Sequence, residues 1–113
     1  MDADRMTRLI TEAVASGICD HQLLGKLDGL SSVESGSVAK ANLLHTYRRR
    51  INRTPTGSDL HKETASLLSF LEKHQQDDLT MASATFEDGR SELFLLDAEG
   101  DRILHWMRMF SRG

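Results

Sequence analysis

Two spacings of apolar residues divide the chain near residue 79. Up to that point apolar positions recur every three or four residues, and beyond it they alternate. Met6, Leu9, Ile10, Ala13 and Val14 form one stripe, which predicts an amphipathic helix from Asp4 to Ser16. Gly17 follows as its C-cap, and Asp2 and Asp4 lie where the helix dipole favours negative charge. Asp20 is placed to cap a second, short helix from His21 to Leu30, with Leu23, Leu24, Leu27 and Leu30 turned inward. Gly25 and Gly29 weaken it. Ser31 to Ser37 has the Ser/Gly composition of a polar connection. A third helix is predicted from about Ser37 to Asn52, its stripe being Ala41, Leu44, Tyr47 or Arg48, and Ile51. Pro55 disfavours helical geometry at Thr54 and breaks the pattern there. A fourth helix starts at Thr54 or Ser58 and runs to about Gln76. It presents Leu60, Thr64, Leu67, Leu68 and Leu71, with Phe70 alongside.

From Leu79 to Phe110 the chain reads as three strands joined by two turns. Asp88-Gly89 fits a two-residue type I′ hairpin loop, and Gly100 serves the second turn. Closing the first hairpin this way sets Glu87 opposite Arg90, Ala84 opposite Leu93 and Ala82 opposite Leu95. The second hairpin then sets Leu96 opposite Ile103, Leu95 opposite Leu104, Phe94 opposite His105 and Leu93 opposite Trp106. The expected fold is a single α+β domain: about four helices (residues 1–78) followed by a three-stranded antiparallel β-meander (residues 79–110), with the helices packed on one face.

In that register both faces of the sheet are apolar. One carries Ala82, Ala84, Phe86, Leu93, Leu95, Leu104 and Trp106. The other carries Met81, Phe94, Leu96, Ile103, Met107 and Met109, with polar Ser83, Thr85, Glu92 and His105 among them. An antiparallel sheet with one wet side alternates apolar and polar residues. Two plain explanations are that helices cover both faces, or that the register is off by one residue. A third is that Met81, Phe94, Leu96, Ile103, His105, Met107 and Met109 meet a second chain. Polarizable Met side chains suit such a surface, and His105 would make it pH-sensitive.

Charge narrows the function. The net charge of −3 argues against a general polyanion binder. Positive charge concentrates in Arg48, Arg49, Arg50 and Arg53, either a helix C-terminus complemented by cations or an anion or nucleic-acid contact. A helix-turn-helix fits poorly, because the connection from Leu30 to Ser37 is long and the arginines lie at the far end of the third helix. The single cysteine, Cys19, forms no internal disulfide and fits a reducing compartment. No stretch has the length of a membrane span, so a cytoplasmic protein with no membrane partner is expected.

Cys19, Asp20 and His21 are adjacent but do not converge as a nucleophile and base would. The five histidines have no metal spacing. Asp77-Asp78 and Glu87-Asp88 read as turn and solubility residues. Neither a phosphate loop nor a nucleophile elbow occurs. The chain is therefore expected to be non-catalytic, without cofactor or metal. It reads as a small interaction or regulatory protein that binds another protein and forms a homodimer through its sheet, as an inhibitor, immunity protein, antitoxin or chaperone does. The alternative is a nucleic-acid-binding regulator using the arginines.

Overall fold

The structure, a computed structural model, describes residues 1–109, the side chains of residues 108 and 109 excepted. Three α-helices and one 3₁₀ helix surround a four-stranded antiparallel sheet. Helix α1 (Ala3–Ala15) is followed by the 3₁₀ helix His21–Gly29 and strand β1 (Leu30–Ala39). Then come α2 (Lys40–Ile51), α3 (Asp59–Lys73), β2 (Asp78–Phe86), β3 (Ser91–Leu96) and β4 (Ile103–Met109). The strand order across the sheet is β1-β2-β3-β4.

The helix boundaries follow local chemistry. The Asp2 carboxylate accepts from the Arg5 backbone N–H at 2.7 Å, capping α1. Gly17 ends it with φ 79°. Asp20 accepts from Gln22 N–H at 3.0 Å and starts the 3₁₀ helix. The Ser58 hydroxyl accepts from His61 N–H at 3.2 Å at the start of α3. Met6, Leu9, Ile10 and Ala13 of α1 are buried, as are Thr64, Leu67, Leu68 and Leu71 of α3. In α2 the buried residues are Leu43 and Tyr47, while Ala41 is exposed. Leu44 and Ile51 of the expected stripe pack beside them, partly buried, and α2 begins at Lys40 rather than Ser37.

The main difference from expectation is β1. Ser31 to Ser37 is not a connection but most of a ten-residue strand paired antiparallel to β2, from Leu30↔Phe86 to Ala39↔Asp78. Its Ser/Gly composition carries little β-propensity, and the partner strand supplies what the sequence lacks.

The hairpins differ as well. Phe86 N–H donates to Arg90 C=O and Gly89 N–H donates to Phe86 C=O, both at 2.9 Å. The loop is therefore three residues, Glu87-Asp88-Gly89, with Gly89 at φ 82° in the position of a G1 bulge. This shifts the pairing by one: Ala84 lies opposite Glu92 and Ala82 opposite Phe94. A one-residue shift turns every side chain of β3 to the other face relative to β2. In the second hairpin Leu96 pairs with Ile103 as expected. A bulge at Leu104 then sets Leu95 opposite His105, Phe94 opposite Trp106 and Leu93 opposite Met107.

Helices cover both faces of the sheet rather than one. α1 and the 3₁₀ helix pack on Ala82, Ala84, Phe86, Phe94, Leu96 and Ile103, with Trp106 against them. α2 and α3 pack on Leu79, Leu93, Leu95 and Met107, with Met81 and Leu104 against them. β3 lies between two strands and two helical layers, so Leu93, Phe94, Leu95 and Leu96 are all at most 5% exposed. Two polar ties hold the layers. Arg5 donates to Gly100 C=O at 2.8 Å and to the Asp101 carboxylate at 3.1 Å, fixing α1 to the β3–β4 loop. Lys40 Nζ donates to His74 C=O at 2.7 Å and closes the end of α3.

Candidate functional site

The seven residues expected on one open face do not share a face. Phe94, Leu96 and Ile103 point toward α1, and Met81, His105 and Met107 lie on the α2/α3 side. Phe94, Leu96, Ile103 and Met107 are buried within the chain. Met81 and His105 are half-buried. The side chain of Met109 lies outside the described residues. The register shift dispersed this set, and the second helical layer covered it.

The arginines are brought together only in part. All four are exposed at the end of α2 and just beyond it. The Arg48 guanidinium lies 3.6 Å from the Glu72 carboxylate, and Arg50 lies over the Tyr47 ring, 5.0 Å from its centroid. Arg49 and Arg53 have no ion-pair partner among the described residues.

Neither candidate nucleophile chemistry nor an acid–base pair is assembled around Cys19. The thiol is 5% exposed, and burial, with a smaller contribution from the Glu92 carboxylate, pushes its pKa up to about 12. A thiol so protonated is inert at neutral pH. Glu92 itself is 4% exposed on the α1 side. It accepts from Trp106 Nε1 at 3.1 Å, and Lys26 Nζ lies 3.9 Å away. Glu92 keeps the face of Phe94 and Leu96 that the sequence gives it, and the α1 layer on that face buries it, so sequence reasoning had no signal for it beyond a lone Glu in an apolar run.

On the opposite side, the Phe70 ring stacks between His74, at 5.3 Å, and His105, at 4.9 Å. Burial pushes the His105 pKa below the ordinary histidine value, so the ring is neutral. Beside this stack an open cleft of about 490 Å³ is lined by Ile18, His74, Gln76, Asp97 and Arg102, among others.

β1 is an edge strand of the sheet. Glu34, Ser35, Gly36 and Ser37 are exposed, so neither helical layer overhangs the middle of this edge strand. Its inward groups can be assigned. Lys40 N–H donates to Asp77 C=O at 2.8 Å, continuing the β1–β2 register. In an antiparallel ladder, residues that exchange hydrogen bonds with one neighbour alternate with residues whose N–H and C=O face the other side. Ser32, Glu34, Gly36 and Val38 therefore face β2. The main-chain groups of Val33, Ser35 and Ser37 point away from the sheet.

Natural edge strands are guarded by Lys, Pro or bulges. β1 carries neither Lys nor Pro. Its register shift lies at its beginning, between Leu30 and Ser32, where the Ser31 hydroxyl donates to Thr85 C=O at 2.9 Å. The two valines secure the strand to the body: Val33 packs toward α1 and Val38 toward α2 and α3. Sequence reasoning missed this edge because four serines and a glycine resemble a loop. Within the run that reads as a loop, Ser31 to Ser37, Val33 is the one apolar side chain. The chain matches no protein-family model, no curated protein and no solved structure.

Proposed function

We propose that this is a small non-catalytic interaction protein that binds another polypeptide by strand addition at the β1 edge. The observation that carries the reading is the run Glu34–Ser37, exposed and with the main-chain groups of Ser35 and Ser37 directed outward. An extended segment laid there gains main-chain hydrogen bonds without displacing any part of the fold. The side chains it meets are small and polar, so the edge accepts many sequences and obtains affinity from backbone pairing. The exposed Arg49 and Arg53 support a second reading, contact with a nucleic acid or an acidic partner, in which affinity falls steeply with salt.

One selection tests both. Short random peptides displayed on phage are selected against the intact protein, and the recovered peptides are titrated against variants. Ser35→Pro removes an outward N–H and leaves the β2 ladder untouched. Binding is expected to be lost in Ser35→Pro and retained in Arg49→Glu with Arg53→Glu. Retention in Ser35→Pro together with loss in the arginine variant overturns the edge reading in favour of the arginines.

A further inference from the structure

We infer that the first strand the β1 edge accepts is β1 of a second copy, running antiparallel about a two-fold axis at Gly36. This rests on the strand-addition reading above and names its occupant. The geometry fixes the register almost completely. Outward-facing residues of one copy must pair with outward-facing residues of the other, so odd-numbered positions pair with odd. This leaves axes at Glu34, Ser35, Gly36 or Ser37.

An axis at Glu34 sets the two Glu34 carboxylates directly opposite, a like-charge pair that destabilises the ladder. An axis at Ser35 leaves them as diagonal neighbours on the same face. An axis at Ser37 leaves only Ser35 to Ala39 to pair, because the next position sets Glu34 against Lys40, where α2 begins. The axis at Gly36 separates the carboxylates and pairs the longer run from Val33 to Ala39. Ser35 then exchanges both main-chain bonds with Ser37 of the other copy, twice by symmetry. Val33 comes opposite Ala39, and the two Glu34 side chains are four residues apart along the strand. Gly36 meets itself in a non-hydrogen-bonded pair, the closest approach in an antiparallel ladder, and a Cβ added there would have nothing within 4 Å inside its own chain.

Such a contact joins two four-stranded sheets into one of eight strands. It uses few residues and no large apolar side chain, so it buries less than the roughly 1,200 Å² of a stable dimer. The resulting dimer is weak and concentration-dependent rather than obligate. That leaves the edge free for a competing strand at low concentration.

The axis is tested by cross-linking. Paired Cα atoms in the non-hydrogen-bonded position are about 4.5 Å apart, within disulfide range. Gly36→Cys is expected to form a disulfide-linked dimer under mild oxidation much faster than Ser32→Cys. Ser32 residues lie about 26 Å apart across this axis. Sedimentation equilibrium of the unmodified chain should give a mass rising with concentration from 12.7 kDa toward twice that value. Ser35→Pro should hold it at the monomer value. A chain that stays monomeric at the highest concentration, with Gly36→Cys linking no faster than Ser32→Cys, overturns self-pairing. The peptide selection is independent of that result: peptides that bind the monomer and fail on Ser35→Pro leave strand addition standing with a foreign occupant.

Discussion

β1 and β3 belong to one sheet and are held in it by different means. β3 is short, apolar and enclosed: each of Leu93 to Leu96 packs against a helical layer, and strands flank it on both sides. β1 is longer and mostly polar, with one neighbouring strand, and Leu30, Val33, Val38 and Ala39 are its apolar residues. For β3 the hydrophobic effect is sufficient reason to be in the sheet. For β1 the reason is the hydrogen-bonding edge that β2 presents, together with the short path between the 3₁₀ helix and α2. The enclosed strand has no surface left for a partner. The polar one leaves its outer main chain available. The contrast locates stability in β3 and the proposed binding in β1.

Substitutions sharpen that contrast in descending order of effect. Phe94→Ala should cost about 3–5 kcal/mol, because it empties a fully buried site between α1 and the sheet, and denaturant unfolding measures it. A loss below about 1 kcal/mol would place Phe94 outside the core. Within β1 the effect should alternate. Glu34→Pro removes an N–H that faces β2 and strands the Ser83 carbonyl, a cost of about 1–3 kcal/mol. Ser35→Pro, one residue away, should change stability by less than about 1 kcal/mol while abolishing edge contacts. Equal costs at the two positions would mean that the assignment of inward and outward residues is reversed or lost.

A smaller effect comes from the α2/α3 layer. His105 is held neutral by burial, with a folded pKa below its ordinary value of 6.5. As pH falls through 6.5 the unfolded chain takes up that proton first, so the folded state loses stability until the folded pKa is passed. The loss cannot exceed about 1.4 kcal/mol per pH unit for one proton. His105→Phe keeps a ring beside Phe70 and removes the titration. Its stability relative to the unmodified chain should therefore rise as pH is lowered from 7 toward 5. A constant gap across that range would place His105 in solvent.

The sequence by itself determined α1 with its Gly17 terminus, the Asp20 cap of the 3₁₀ helix, the break at Pro55, the apolar face of α3, and the existence and order of β2, β3 and β4. These are local matters: a cap, a turn glycine or a repeated spacing acts within a few residues. The α+β class followed from them. The sites were less legible. The proposed interface residues were selected on a two-residue Asp-Gly turn, whereas the loop is three residues with Gly89 as its left-handed member. Asp-Gly is compatible with both loops, and what separates them is which side chains the helical layers bury. Phe94 shares the α1 face with Ala82 and Ala84 only in the three-residue register, while Trp106 on the side of Glu92 and Met107 on the side of Leu93 follow from the bulge at Leu104.

The tertiary structure alone decided that helices cover both faces, that Leu104 bulges, and that a serine-rich run becomes β1. A strand at a sheet edge draws its hydrogen bonds from a partner 39 or more residues away, and no local property of Ser31 to Ser37 encodes that partner.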